Sequence, residues 1–235
     1  VRLYPDAESD AAHFAELFAA TLMRDPPKPD ETMAAYLARL TQGLGEAAAK
    51  HARVKLEIAP KASLPTAAAT LVRKVGDTLE GATLGDSIAI VRTPDGAVSV
   101  FGEASKPAEE QGRAKRVMAM TPEERLNWLQ DVRAIHNTER GYWVFGVQAE
   151  AAEHAVVQRA ACLPGTRVLA MTDGFYRLVS PYGKYDDAGL MEAASAMGLG
   201  VLLGELRGME ASSADDARIG RFKTSDDATA LLLEF

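Results

Sequence analysis

The chain has 235 residues, 47% hydrophobic and 25% charged, which suits one soluble domain, residues 1–235, with room for a substantial core. A formal net charge of −7 argues against a nucleic-acid footprint, and a single cysteine excludes an internal disulfide framework. No apolar run approaches the roughly 18 residues of a membrane span and no signal-peptide pattern opens the sequence, so a cytoplasmic protein with neither membrane nor nucleic acid as partner is expected.

In chain order, Phe14, Leu17, Phe18 and Leu22 recur at helical spacing and predict a first helix, which Pro26-Pro27-Lys28-Pro29 interrupts. A second helix is expected from Asp30, as N-cap, to about His51, with Met33, Tyr36, Leu37, Leu40 and Leu44 as its apolar stripe. From Val54 the texture turns β-like. Leu56-Glu57-Ile58, Ala67 to Val72, Ala82 to Val91 and Val98 to Phe101 read as an antiparallel meander, with Asp95-Gly96 as a hairpin turn.

Residues Ser105 to Asn137 read as helical again. Arg113-Ala114-Lys115-Arg116 would be a solvated helix face, and Thr121-Pro122-Glu123-Glu124 a capping box ahead of Leu126, Leu129 and Val132. Gly141 to Val147 resumes the strand texture, and Val168 to Met171 forms an apolar strand that stops at Thr172-Asp173-Gly174. A helix from about Ala188 to Arg207, capped by Asp186-Asp187, then precedes a polar loop from Met209 to Thr224 and a buried strand from Ala228 to Leu233. Helices, a meander, then helices and strands again give layered α+β packing.

Three aspartates stand at the ends of these apolar runs: Asp86 in Gly85-Asp86-Ser87, Asp173 in Thr172-Asp173-Gly174 and Asp226 in Asp226-Asp227-Ala228. Strand-end carboxylates at one shared edge would offer oxygen ligands to a hard divalent cation. Taken singly, each is as well explained by turn chemistry, so the set carries the reading. Other chemistries lack their spacing. Arg167 falls one residue short of a Cys-x5-Arg phosphate loop starting at Cys162, and His13, His51, His136 and His154 are scattered with no His-x3-His pair.

The series resembles the metal-dependent serine/threonine phosphatases of type 2C. Leu64-Pro65-Thr66-Ala67-Ala68-Ala69 is similar to that family's Thr-rich strand, Gly85-Asp86-Ser87 to its second motif, Thr172-Asp173-Gly174-Phe175 to its third and Asp226-Asp227-Ala228-Thr229 to its last. The match runs from about Thr66 to Phe235, with the motifs short but in the family's order.

The resemblance implies an α-β-β-α sandwich of two antiparallel sheets flanked by helices. It also implies a two-metal centre of Mg²⁺ or Mn²⁺ with Asp173 and Asp226 as ligands, a weaker additional metal site using Asp86 and Asp173, and Thr172 and Asp227 behind the ligands. A bacterial protein phosphatase, with a phosphoprotein substrate and a cognate kinase, follows as the expectation. The departure is at the front. The family opens with an acidic strand and an Asp-Gly loop whose aspartate bridges both metals, but no Asp-Gly precedes Asp95 here. Missing N-terminal strands are the expected reason, a degenerate pseudophosphatase the alternative, and weak metal binding with slow hydrolysis the expected behaviour.

Overall fold

The computed structural model describes residues 2–103, 112, 116–212 and 225–235, so the Arg113–Lys115 helix face and most of the 209–224 loop lie outside the described residues. The chain divides into two compact units, Val1–Ala69 with Glu123–Val156, and Thr70–Pro122 with Val157–Phe235. Among the described residues no helix is long and apolar enough to cross a membrane.

In the first unit, α1 (Asp10–Arg24) packs against α2 (Met33–His51). The Ser9 hydroxyl caps α1 by accepting the Ala12 N–H, and Phe14, Phe18 and Thr21 are its buried face. The cap of α2 is Thr32 and not Asp30, because the Thr32 side chain is the one that accepts the Ala35 N–H. Met33, Tyr36, Leu37, Leu40 and Leu44 are buried as the periodicity requires.

Leu56–Ile58 is a 3₁₀ turn rather than a strand. Its N–H groups are used locally, Ile58 to Lys55 O and Ala59 to Leu56 O, and Pro60 then removes a donor. The strand expected over 141–147 shrinks to β6 (Phe145–Gly146), paired with β1 (Thr66–Ala67). Asn137, at φ 53°, accounts for the loss, since its carbonyl side-chain oxygen accepts the Val144 N–H at 2.8 Å and its own N–H goes to Tyr142 O. The bonds a longer strand would need are already spent in that loop.

The helix α3 (Pro122–Ala134) starts at its proline but buries no side chain among the described residues. Leu126 and Leu129 are instead 57% and 45% exposed, although their i+3 spacing places them on one side of the helix.

The second unit holds the sheets. β2 (Ala69–Val75), β3 (Thr78–Leu84) and β7 (Val156–Ala161), the last unforeseen in sequence, lie in the order β2-β3-β7. β4 (Ile88–Arg92), β5 (Val98–Phe101), β8 (Arg167–Met171) and β9 (Ala230–Glu234) form an antiparallel sheet in the order β5-β4-β8-β9. Period-two alternation splits its side chains between two cores. Ala89, Val91, Phe101 and Val168 meet Leu79 of the other sheet and Cys162 just past the end of β7, while Ile88, Ile90, Leu169 and Met171 face α5 (Asp187–Met197) and α6 (Leu199–Ser212). Gly81 is required there, because a Cβ would stand 2.1 Å from the Phe101 ring.

A single helix expected over 188–207 is two, since Gly198 at φ 82° ends α5 before α6 begins. Asp186 does cap α5, accepting the Gly189 N–H at 2.7 Å. The closing strand is not fully buried: β9 ends the sheet among the described residues, and Leu231 and Leu233 are 54% and 42% exposed.

The buried Glu80 joins strands, accepting from Arg73 at 2.7 Å and from Arg159 at 2.8 Å. The Arg73 bond, with help from Arg159 and against the cost of burial, holds its carboxyl below the ordinary range. A depressed folded value means a contribution present above the unfolded pKa and lost as pH falls through the folded one. Glu80→Gln is therefore expected to destabilise by about 1.5 kcal/mol at neutral pH, the scale of a charged hydrogen bond, with the gap to wild type closing in acid. Urea unfolding at pH 7 and below pH 4 measures it; a gap that stays constant with pH would contradict this account.

Candidate metal centre

The strand register carries all three aspartates to one end of the four-stranded sheet. Ile88 at the start of β4 is opposite Met171 at the end of β8, which is opposite Ala230 at the start of β9. Asp86 lies two residues before the first, Asp173 two after the second and Asp226 four before the third, so antiparallel pairing delivers them to the same edge.

Local contacts fix this edge. After β8 the chain enters the one-turn helix α4 (Asp173–Tyr176), with Thr172 ahead of it. Thr172 is bonded to Thr229 through backbone and side chain, donating its N–H to Thr229 O at 3.0 Å and accepting the Thr229 N–H on Oγ1 at 3.1 Å. Gly174 is buried under the next segment: a Cβ there would lie 2.0 Å from Asp227 O and 3.4 Å from Asp226 Cβ. The Asp226 carboxylate accepts the Asp227 N–H on Oδ1 at 3.1 Å.

The charges register this crowding. Asp173 is pushed up to about 6, first by desolvation, then by the negative charges of Asp86 and Asp226, against the Gly174 N–H and the Arg177 charge. Asp173 still presents surface to solvent, so the desolvation is that of a crowded cleft and not of a sealed interior. A carboxyl raised in this way is one that an added cation would relieve.

Among the described residues, however, no group of three or more His, Cys, Asp or Glu side chains stands in position to hold a metal ion. The donor set is hard oxygen with surplus negative charge, which fits a loosely held Mg²⁺ or Mn²⁺ and not a preformed cage.

The other candidates separate out. Cys162 is 1% exposed in the core between the sheets, and the 162–166 turn is closed by Thr166 Oγ1 accepting the Leu163 N–H. Arg167 pairs with Glu234 at 2.7 Å, turned to a structural task. His13 and His51, distant in sequence, meet edge to face at 5.7 Å, and His154 stacks on Trp143 at 3.4 Å. Arg177, Arg207 and Glu210, which carry no motif in the sequence, surround the Asp173 and Asp226 segments; Glu210 lies in α6 and not in the loop expected from Met209, as its i+3 spacing from Arg207 allows.

No family model and no curated protein matches the chain. Solved structures do. A structure of PppA, a regulatory component of the type VI secretion system in Pseudomonas aeruginosa, aligns with 98% of this chain and 82% of its own at 17% identity and a TM-score of 0.51. The Mycobacterium tuberculosis serine/threonine phosphatase PstP aligns over 94% and 80% at 17% identity and 0.53. The Streptococcus agalactiae serine/threonine phosphatase aligns over 94% and 81% at 15% identity and 0.51. Spanning nearly the whole sequence, these alignments give the chain the fold of the type 2C metal-dependent serine/threonine phosphatases.

Proposed function

We propose that the chain is a metal-dependent phosphomonoester hydrolase acting on phosphoserine and phosphothreonine in proteins, with Mg²⁺ or Mn²⁺ at a site built on Asp173 and Asp226. The observation that supports this most is the convergence of Asp86, Asp173 and Asp226 on one sheet edge within this fold. Asp86 shares the charge field of Asp173 and is assigned to a weaker, additional site with it.

Bound divalent metal supplies an acidified water and screens phosphate charge. What the chain supplies is placement. Thr172 ties the Asp173 turn to Thr229, and the Asp227 N–H orients Asp226 Oδ1. The protein partner is a phosphoprotein, which implies a kinase acting on the same substrate. A second reading, a phosphoprotein-binding module with little turnover, draws support from the lack of a three-ligand group among the described residues.

Hydrolysis of p-nitrophenyl phosphate and of a phosphothreonine peptide, with Mn²⁺ and with chelator, tests the proposal. Slow turnover that needs Mn²⁺ is expected, and it should survive Cys162→Ser because the buried thiol is away from the acids. Turnover that persists in chelator and vanishes with Cys162→Ser would point to cysteine chemistry. Peptide binding with turnover no higher than in Asp173→Asn would favour the binding module.

A further inference from the structure

The Asp226 segment is gripped by a buried acid from α6. Glu210 is 2% exposed. Its Oε1 accepts the Asp226 backbone N–H at 3.3 Å, and its Oε2 accepts from Arg207 Nη1 at 2.6 Å. Arg207 Nη1 in turn donates to the Asp226 carbonyl at 2.8 Å, so one acid and one base from the same helix hold both sides of residue 226. Arg177 Nη1 reaches Glu210 Oε1 at 3.5 Å, and its own backbone N–H is bonded to Asp173 O. Glu210 thus links, through Arg177, the turn that presents Asp173 to the strand entry that presents Asp226.

Burying a carboxylate costs several kcal/mol unless charged and N–H partners replace water. A bundle needing only packing would place a leucine at 210, as at Leu202 and Leu206 on the same helix. The partners found for Glu210 are instead the two segments that bear the metal-site acids.

We propose that Glu210, with Arg207, is the positioning pair of the metal centre, setting Asp226 at a fixed offset from Asp173. The inference rests on the metal-site reading above. It goes beyond it in assigning the pair that makes two carboxylates from distant parts of the chain into one site.

The test compares wild type, Glu210→Gln and Arg207→Gln, the last at a side chain 41% exposed and so less costly to the fold. Hydrogen–deuterium exchange on the metal-free chain should show residues 226–229 exchanging faster in both variants, with β8 still protected. Calorimetric titration should show Mn²⁺ dissociation constants raised about 10- to 100-fold, the usual penalty for losing a group that orients a ligand. Turnover should recover at saturating Mn²⁺, since misplacement lowers occupancy more than it alters the chemistry. Unchanged exchange and unchanged Mn²⁺ affinity in Arg207→Gln would overturn the positioning role and leave the metal site standing. Absence of Mn²⁺ binding in wild type would overturn the metal site and the role with it.

Discussion

Asp173→Asn is expected to weaken Mn²⁺ binding by more than about 100-fold, because even a group that merely orients a ligand is worth 10- to 100-fold. The same change should leave the metal-free chain as stable at pH 7 as wild type, or more so. The sign follows from the carboxyl's rise to about 6: at neutral pH it is ionised against its surroundings, close to the charges of Asp86 and Asp226. An amide of equal size removes that repulsion. Calorimetry with Mn²⁺, paired with urea unfolding in chelator, reads both halves. Loss of stability matching the loss of affinity would mark Asp173 as a structural acid, and undiminished affinity would remove it from the site.

Gly174→Ala is the second large effect. A Cβ at 174 would lie 2.0 Å from the Asp227 carbonyl oxygen, a separation no real contact reaches, and the obstacle is backbone that cannot rotate aside. Either α4 or the 226–229 segment has to retreat, breaking the Thr172–Thr229 pair that closes the sheet edge. A fall of about 1–3 kcal/mol in unfolding free energy, the range for overpacking, is expected, together with loss of Mn²⁺ binding. Gly204→Ala on α6 is the control: nothing lies within 4 Å of its Cβ, so helix propensity should stabilise it by about 0.5–1 kcal/mol. If the two substitutions behaved alike, the close approach at Gly174 would have no energetic weight.

The legible parts of the sequence were those whose signal is local and repeated. Met33, Tyr36, Leu37, Leu40 and Leu44 mark α2, and Val168 to Met171 marks β8, because period 3.6 and period 2 are set by backbone geometry within a few residues. The boundaries failed where a side chain competed for backbone groups. Thr32 took the cap from Asp30, and Asn137 consumed the donors and acceptors of a would-be strand at 141–144. The expected long helix after Asp186 ignored Gly198, whose left-handed conformation divides α5 from α6.

The sequence by itself determined that this is an α+β chain with three acids at strand ends, since apolar periodicity and the Gly and Asp beside it are chemical facts of each segment. That the acids meet was an expectation lent by the family resemblance, not by any local pattern. Only the antiparallel register Ile88–Met171–Ala230 puts three distant residues at one edge, where desolvation first and then the charges of Asp86 and Asp226 raise Asp173 to about 6. Glu210 shows the same division. Its charge was visible, but its partners come from segments 33 and 16 residues away, so its meaning arises from packing. A carboxylate's solvation and neighbours are properties of three-dimensional density, and no linear pattern encodes them.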